Sequence, residues 1–206
     1  MPRPRSLSRD TLVENAMRQF WARGYEATSM EDLVRATGVG RGAIYTEFGG
    51  KKDLFLACLS HFSDAAVTPA FLVVEAEDAG FAAIETYLFD GVAEIASVGL
   101  PAKGCMMGNT LTELAAHDAE MAKVVRTHYD RLTDGFACAL AKEVGQSPSD
   151  AEIVELAGLL TVSAQGLWAY ARGTENADEL WKKARMLIEL IKLKLDVISE
   201  GAKDAD

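Results

Sequence analysis

The residues best suited to chemistry form one short group around a glycine-containing turn, and they are Arg41, Gly42, Ala43, Tyr45, Thr46 and Lys51. An arginine such as Arg41 can donate two hydrogen bonds to a guanine edge. Gly42 has no side chain, so another molecule can come close to the backbone there. Hydroxyl groups and a lysine bind phosphates, and the amide groups at the start of a helix at Lys51 also attract anions. The group therefore indicates contact with nucleic acid.

The other reactive side chains are scattered along the chain: Cys58, Cys105 and Cys138, and His61, His117 and His128. None of them has the spacing of a metal-ligand cluster. No Gly-x-Ser-x-Gly or comparable nucleophile motif is present. We therefore expect no catalytic site, no metal and no cofactor, and we interpret His61 and His128 as helix-face residues.

The charge is distributed unevenly between the two ends of the chain. The 206 residues are 49% apolar and 25% charged with a formal net charge of −10, which suits a packed core and argues against a general nucleic-acid coat. Residues 1–55 hold nine basic and seven acidic residues, whereas residues 56–206 hold 12 and 24. A weakly basic head on an acidic body suits a protein that approaches phosphates at one end only.

Targeting and membrane segments are not indicated by the sequence. Residues 1–5 carry charge, but no apolar segment follows them as in a signal peptide. The longest uncharged apolar-rich stretch, residues 156–171, falls short of the roughly 20 residues that a membrane span needs. Three scattered cysteines do not suit a disulfide framework. We expect a reduced cytoplasmic protein with no membrane partner.

Apolar residues recur at helical spacing throughout, without strand-like alternation, and this predicts an all-α fold. The predicted helices lie near 8–23, 28–37, 41–48, 51 onward, 80–98, 105–116, 118–145, 149–173 and 177–200. Ser8, Asp118 and Ser149 are predicted helix caps, and Thr28 with Glu31 is a predicted capping box. The chain divides into an N-terminal domain, residues 1–52, and a C-terminal helical bundle, residues 53–206.

Two short helices joined by the turn at residues 38–40 form a helix-turn-helix pattern, whose second helix normally lies in the major groove of DNA. The alternative is an ordinary helical corner in an all-α core. The outward composition of the second helix favours DNA binding, because Arg41, Gly42, Tyr45, Thr46 and Lys51 would be an unusual set if no ligand faced them.

The run Gly38-Val-Gly-Arg-Gly-Ala-Ile-Tyr-Thr-Glu-Phe-Gly-Gly-Lys-Lys-Asp-Leu-Phe55, after a capped helix and Gly24-Tyr25, closely resembles the DNA-binding domain of the TetR family of transcriptional regulators. The resemblance covers about residues 8–56. It implies a homodimeric repressor with three N-terminal helices for operator DNA and a C-terminal bundle for a small-molecule effector. It also implies that Arg41 and Gly42 touch bases and that Thr28, Tyr45, Thr46 and Lys51 touch phosphates.

Two residues depart from the family pattern. Gly40 stands where the family usually has a serine or threonine that caps the recognition helix, so we expect a weaker helix. Glu47 places a carboxylate on the short helix, where it would either accept a hydrogen bond from a cytosine amine or repel DNA.

The segment Lys103-Gly-Cys-Met-Met-Gly-Asn109 is the unusual stretch of the C-terminal part. It resembles a segment of a TetR subgroup that includes oxidant-, electrophile- and acrylate-responsive repressors. At a helix start beside Lys103, the pKa of Cys105 is expected to be lowered, which would suit a thiol sensor. The alternative is that Cys105 is a small apolar wall residue. Cys58 and Cys138 are predicted to be core residues.

Aromatic and soft side chains of the bundle could line an effector cavity. The candidates are Tyr87, Cys105, Met106, Asn109, Phe136 and Trp168. Most such residues in a bundle belong to the ordinary core, so this second interpretation stays open.

The last two helices carry more apolar surface than a terminal hairpin can hide, which predicts a two-fold dimer interface. The candidate interface residues are Leu160, Ala164, Leu167, Leu187, Ile191 and Leu195. Alternatively, these faces only close the monomer core.

From these patterns we expect a ligand-responsive repressor. The dimer would present its recognition helices roughly 34–36 Å apart, and effector binding would disturb that spacing. A thiol-based repressor that senses through Cys105 is an alternative. A helical module that binds proteins rather than DNA is the alternative from another class.

Overall fold

Helices follow one another along the whole chain that the computed structural model describes, residues 8–203. Within this range ten α-helices and one π-helical turn form, and no β-strand occurs. The α-helices are α1 Arg9–Arg23, α2 Met30–Thr37, α3 Arg41–Phe48, α4 Lys51–Phe62, α5 Thr68–Glu75, α6 Phe81–Val98, α7 Met106–Glu113, α8 Ala119–Val144, α9 Ala151–Tyr170 and α10 Ala177–Lys203. The predicted all-α fold is confirmed. Residues 1–5, on which the expectation of no signal peptide rests, lie outside the described range.

The long helix predicted from Lys51 onward contains a local irregularity. Helix α4 continues through a π-helical turn, Ser63–Val67, into α5, so that Lys51–Glu75 forms one rod. Pro69 lies in the first turn of α5 and lacks a backbone N–H, which removes one i→i−4 hydrogen bond and crowds the preceding turn. The wider π-helical turn accommodates this proline, and Thr68 N donates to the Ser63 carbonyl.

Two predicted helix caps lie one residue away from the observed ones. Helix α2 is capped by Ser29, which forms a capping box with Asp32, rather than by Thr28 with Glu31. The hydrogen bonds from Ser29 hold the pKa of Asp32 below its ordinary value. Asp150, rather than Ser149, precedes α9. Ser8 and Asp118 cap α1 and α8 as predicted.

Two hydrophobic cores share the described chain. The first core contains residues of α1, α2, α3 and α4, together with Met106 and Met107 of α7, Leu114 just after α7, and Met121 of α8. The second core is built from α5, α6, α8, α9 and α10. The domain boundary at 52/53 stays a prediction, and α4, which begins beside it, packs against α1 as well as α7.

The predicted dimer residues are mostly interior residues of the monomer. Leu160, Ala164, Leu167, Ile191 and Leu195 are buried in the second core, and Leu187 is half-buried beside it. The five buried side chains therefore serve the core of the monomer, whereas half-buried Leu187 stays a predicted interface residue. Helices α9 and α10 are apolar on more than one face, and spacing alone does not show which face the monomer uses. Their exposed apolar residues are instead Val154, Leu159, Val162, Tyr170, Met186, Leu190, Leu193 and Val197.

Two helical segments are long and apolar enough to cross a membrane by length and composition alone, namely Lys51–Glu75 and Ala151–Tyr170. Both contribute side chains to the hydrophobic cores of the bundle, including Phe55, Phe71 and Leu160. Packing within the protein therefore accounts for part of their apolar character.

A close approach between α5 and α8 generates the first prediction. A Cβ atom at Gly135 would lie 2.6 Å from Cε1 of Phe71, whose ring is fully buried. We expect Gly135→Ala to lower the free energy of unfolding by about 1–3 kcal/mol.

Gly42→Ala is the matched control, because that glycine is also helical but has no neighbour within 4 Å of the added Cβ. The control should be neutral or more stable by up to about 1 kcal/mol. Equal stability of the two variants in urea unfolding would contradict the packing described here.

Candidate DNA-binding surface and internal cavities

Helix α3 exposes one side and buries the other. Ile44 and Phe48, four residues apart, point into the first core and fix the helix on α4. The outward residues are exposed, namely Arg41, Gly42, Ala43, Tyr45, Thr46 and Glu47. Gly40 precedes α3 without a side-chain cap, as expected from its lack of a hydroxyl. All predicted DNA-contacting residues of α3 therefore share one accessible surface.

The exposed side chain of Arg41 contacts two neighbouring side chains. Its Nη1 lies 3.3 Å from Oε1 of Glu31 on α2, and its guanidinium lies 5.7 Å from the ring centroid of Tyr45. Because all of these groups are exposed, the ion pair is weak and can be exchanged for a stronger acceptor. The guanidinium is thus positioned at the N-terminal end of α3 without being locked there.

No neighbouring side chain explains the glycine at position 42. A Cβ atom there would meet no atom within 4 Å, and the φ angle is not in the left-handed region. The fold would accept a side chain at this position, and alanine favours helices more than glycine does. A smooth, open patch next to Arg41 suits the close approach of a large ligand.

Lys51 and Thr28, predicted phosphate-binding residues, lie in different surroundings. Lys51 begins α4, and its Nζ lies 4.2 Å from the ring centroid of Tyr25. Thr28 is fully buried, and its Oγ1 donates to the Gly24 carbonyl at 2.7 Å. The expectation of an outward Thr28 hydroxyl is therefore wrong, because this threonine closes the turn before α2. Ser29, the residue that caps α2, is exposed next to it.

Glu47 has an intramolecular partner. Its Oε1 lies 3.1 Å from Nε of Arg9 on α1, and the Arg9 guanidinium also lies over the ring of Phe48. The arginine offsets the carboxylate charge on the surface of α3. Glu47 thus joins α3 to α1, a role that the sequence alone left undecided between cytosine contact and repulsion.

Comparisons with known proteins bear directly on this helix-turn-helix. The family model for bacterial regulatory proteins of the tetR family matches residues 12–58. The transcriptional repressor ComR of Escherichia coli (strain K12) is 34% identical over 203 residues, which cover 92% of this chain and 93% of ComR. This chain belongs to the TetR family. It is a DNA-binding transcriptional regulator rather than an enzyme, and family membership decides against the protein-binding module.

Further relatives of this TetR-family regulator agree on the fold. The uncharacterized regulator YezE of Bacillus subtilis (strain 168) is 29% identical, with 87% of this chain and 94% of YezE covered. A cysteine mutant of the regulator CifR, complexed with operator DNA, has a TM-score of 0.75 at 22% identity and covers 91% of this chain and 98% of its own. A regulator from Chloroflexus aurantiacus reaches a TM-score of 0.76 at 23% identity over 89% and 93% of the two chains.

Three polar connections attach the DNA-binding helices to the bundle. Trp21 Nε1 donates to the Gly104 carbonyl at 2.9 Å. Glu113, at the end of α7, accepts from the backbone N–H groups of Tyr25 at 3.1 Å and Glu26 at 2.8 Å. Lys52 Nζ lies 2.7 Å from Oδ2 of Asp118 and 3.0 Å from Oε2 of Glu120. The hydrogen bond to Asp118 holds the pKa of Lys52 above its ordinary value.

A cleft of about 480 Å³, open to solvent and called the inner cavity here, lies between the rod, α6, α8 and α9. The predicted effector residues Tyr87, Cys105 and Trp168 line it. Met106 and Phe136 do not, because they are fully packed in the first and second cores respectively. Their assignment to an effector site stays a prediction that the lining of this cavity does not support.

Asn109 lines a different space, the junction cavity of about 540 Å³. This cavity lies where Arg23 and Gly24 at the end of α1 meet α7 and α9. Cys105 and Gln165 line both cavities and so form a common wall between them.

Two buried polar residues of the inner cavity were not identified from the sequence. His128 and Gln165 are each 7% exposed, and within residues 8–203 neither His128 Nε2 nor Gln165 Oε1 has a hydrogen-bond partner. Burial lowers the pKa of His128 to about 4, so the imidazole is neutral near pH 7. The spacing Met121, Val125, His128, Leu132 marks a buried stripe on α8 and could have indicated an interior histidine.

Cys105 does not have the electronic environment predicted for a sensor thiol. It is half-buried before α7, and burial raises its pKa, although hydrogen bonds from Gly108, Met107 and Gln165 oppose the shift. Desolvation outweighs the helix terminus, so the expected lowering of the pKa is wrong. Cys58 is buried as predicted, but Cys138 is exposed, and its assignment to the core is wrong.

The second prediction is an order of thiol reactivity. We expect a maleimide to label exposed Cys138 first, Cys105 more slowly and buried Cys58 slowest, because the thiolate must be both formed and accessible. Timed labelling of the folded protein followed by peptide mass spectrometry measures the three rates. Labelling in denaturant is the control, where the three rates should converge. If Cys105 reacted faster than Cys138 in the folded protein, the reactive-sensor interpretation would be restored.

Proposed function

We propose that this regulator is a homodimeric repressor that binds a two-fold operator and releases it when a small molecule occupies the inner cavity. The observation that carries the proposal is the exposed, structurally unexplained patch of Arg41 and Gly42 on α3, combined with a cavity that adjoins the rod carrying α4. A protein that binds chromosomal operators acts in the cytoplasm.

On the DNA side we assign two kinds of contact. Arg41, at the N-terminal end of α3, would exchange Glu31 for a guanine edge, and the neighbouring Gly42 and Ala43 would allow that approach. Tyr45, Thr46 and Lys51 would contact phosphates and set the orientation of α3 in the groove.

For dimerisation we propose the exposed stripe, defined as Leu159 and Val162 on α9 together with Met186, Leu190, Leu193 and Val197 on α10. The four α10 residues follow helical spacing and are all more than half exposed. Gly158 and Gly166 on α9 have open space where a Cβ would lie, which would let a partner helix come close. A two-fold axis through α9 and α10 would bury the stripe against its own copy.

Two elements can transmit cavity occupancy to the DNA-binding helices. The inner cavity is lined by four residues of the rod, Ala66, Val67, Pro69 and Ala70, whereas Lys51, which we propose contacts phosphate, begins the rod. Helix α7 follows Cys105 at the cavity wall and ends at Glu113, which holds the turn before α2. A ligand that binds better to a shifted rod or a shifted α7 would change the spacing of the two α3 helices.

The third prediction separates base contact from phosphate contact. Arg41→Ala should cost roughly 1–3 kcal/mol on the operator and relax the preference at one base pair per half-site. Lys51→Ala should weaken binding to all duplexes alike and flatten its salt dependence. Fluorescence anisotropy on operator and scrambled duplexes at several salt concentrations distinguishes the two patterns. Identical losses on every sequence for both variants would contradict the assigned roles.

The fourth prediction tests the dimer surface. Leu159→Glu with Leu193→Glu should give monomers in sedimentation velocity and abolish tight operator binding, because four unpartnered carboxylates would be buried across the two-fold axis. Both leucines are exposed in the monomer, so its helical circular dichroism should persist.

Leu72→Glu on α5 is the matched control for this variant. Leu72 is as exposed as Leu159, at 57% each, but lies outside the stripe. The control should remain dimeric. A dimeric double variant would mean that a different surface joins the two chains.

A further inference from the structure

The inner cavity has aromatic walls and an acidic rim. Trp21, Phe62, Tyr87 and Trp168 supply rings from four different helices, and Gly91 leaves room for the edge of Trp168, where a Cβ would come within 2.5 Å of that ring. The space of about 480 Å³ is large enough for a bicyclic aromatic molecule. Flat rings stacked or edge-on against these side chains would be favoured.

The wall that this cavity shares with the junction cavity carries a hydrogen-bond acceptor that nothing in the described chain uses. Gln165 is only 7% exposed in the monomer, and its Oε1 has no hydrogen-bond partner in the described chain. A hydrogen bond from the Gln165 side chain opposes the rise that burial causes in the pKa of Cys105. An unsatisfied buried carbonyl is costly, so a ligand N–H or O–H that reaches it gains the full value of a buried hydrogen bond. His128 Nε2, unpartnered as well, adds a second neutral polar atom to the lining of the inner cavity.

The charges at the cavity all have one sign. Asp90 and Glu94, one helical turn apart on α6, line the cavity, and no lysine or arginine is among its lining residues. Neither carboxylate forms a salt bridge within the described chain. Lys103 lies outside the cavity, with its Nζ 5.3 Å from the ring centroid of Trp21. Such a rim attracts cations and repels anions, and ring faces add to the attraction.

We propose that the inner cavity selects cationic arylalkylamines whose aromatic end carries a hydrogen-bond donor. The ring system would lie against Tyr87 and Trp168, the ring N–H would donate to Gln165 Oε1, and the ammonium group would face Asp90 and Glu94. This inference rests on the proposed function in taking the inner cavity as the effector site, but its binding test does not require DNA.

Three indole compounds of similar size isolate the charge at the end of the side chain. Tryptamine carries an ammonium group, tryptophol a hydroxyl and indole-3-propionate a carboxylate. Isothermal titration of the full chain at pH 7 should give tryptamine roughly a tenfold higher affinity than tryptophol, with indole-3-propionate weakest. Equal affinities, or preference for the alcohol or the acid, would overturn the proposal, as would the failure of all three compounds to bind.

Variants then identify the residues that cause the preference for tryptamine over tryptophol. Asp90→Asn with Glu94→Gln should remove most of the tenfold advantage of tryptamine while leaving tryptophol affinity unchanged. Glu85→Gln is the matched control, since Glu85 lies on α6 but outside the cavity lining. Gln165→Met should weaken the binding of tryptamine but not the binding of 2-(1-naphthyl)ethylamine, which has no ring N–H. An unchanged preference in the Asp90/Glu94 variant would refute the acidic rim as its source.

Release of operator DNA is measured in a separate experiment. The proposed repressor function and the proposed ligand class can then be refuted independently. If tryptamine binds with the expected selectivity but does not release operator DNA, the ligand class stands and the coupling in the proposed function is wrong. If the protein releases DNA in response to other compounds while no arylalkylamine binds, the repressor function stands and the ligand class is wrong.

Discussion

The packing of α4 between α1 and α7 is the constraint on which the rest of the structure depends. Leu54, Phe55, Cys58, Leu59 and Phe62 bury one apolar side of α4 in the first core, and α7 contributes Met106 and Met107 to that same core. A densely packed interior does not deform smoothly, so displacement of α7 or of the rod must be transmitted to α1 and α3. The DNA-binding helices therefore cannot be positioned independently of the bundle.

Polar groups at the boundary between the DNA-binding helices and the bundle limit how these two parts can move. Glu113 holds two backbone N–H groups of the turn before α2, and Lys52 is paired with carboxylates at the start of α8. These contacts are directional and partly exposed, so they can be exchanged for water at modest cost. The apolar contacts of α7, by contrast, are buried and costly to separate. Rearrangement at this boundary would thus exchange polar contacts while keeping apolar ones.

Only part of the candidate DNA-binding surface and of the Cys105 region could be predicted from the sequence. Arg41, Tyr45 and Thr46 could be placed on the outer side of α3 because helical spacing puts Ile44 and Phe48 on the other side. Thr28 and Ser29 are adjacent residues that can both cap a helix, and only the observed turn decides that Ser29 does so. Cys105 is desolvated because it packs against both hydrophobic cores, whose residues are mostly distant in sequence, so its raised pKa could not be anticipated from a local helix terminus.

The sequence by itself determined the all-α fold, the positions of most helices and the helix-turn-helix, because these follow from local spacing, caps and glycine breaks. Only the tertiary structure decided which apolar faces are used. Leu160 and Ile191 turn inward while Leu159 and Leu190 remain exposed, although both sets have helical periodicity. It likewise decided that His128 and Gln165 meet at one cavity. Long-range packing makes these choices, since burial of a face depends on which other helix lies against it.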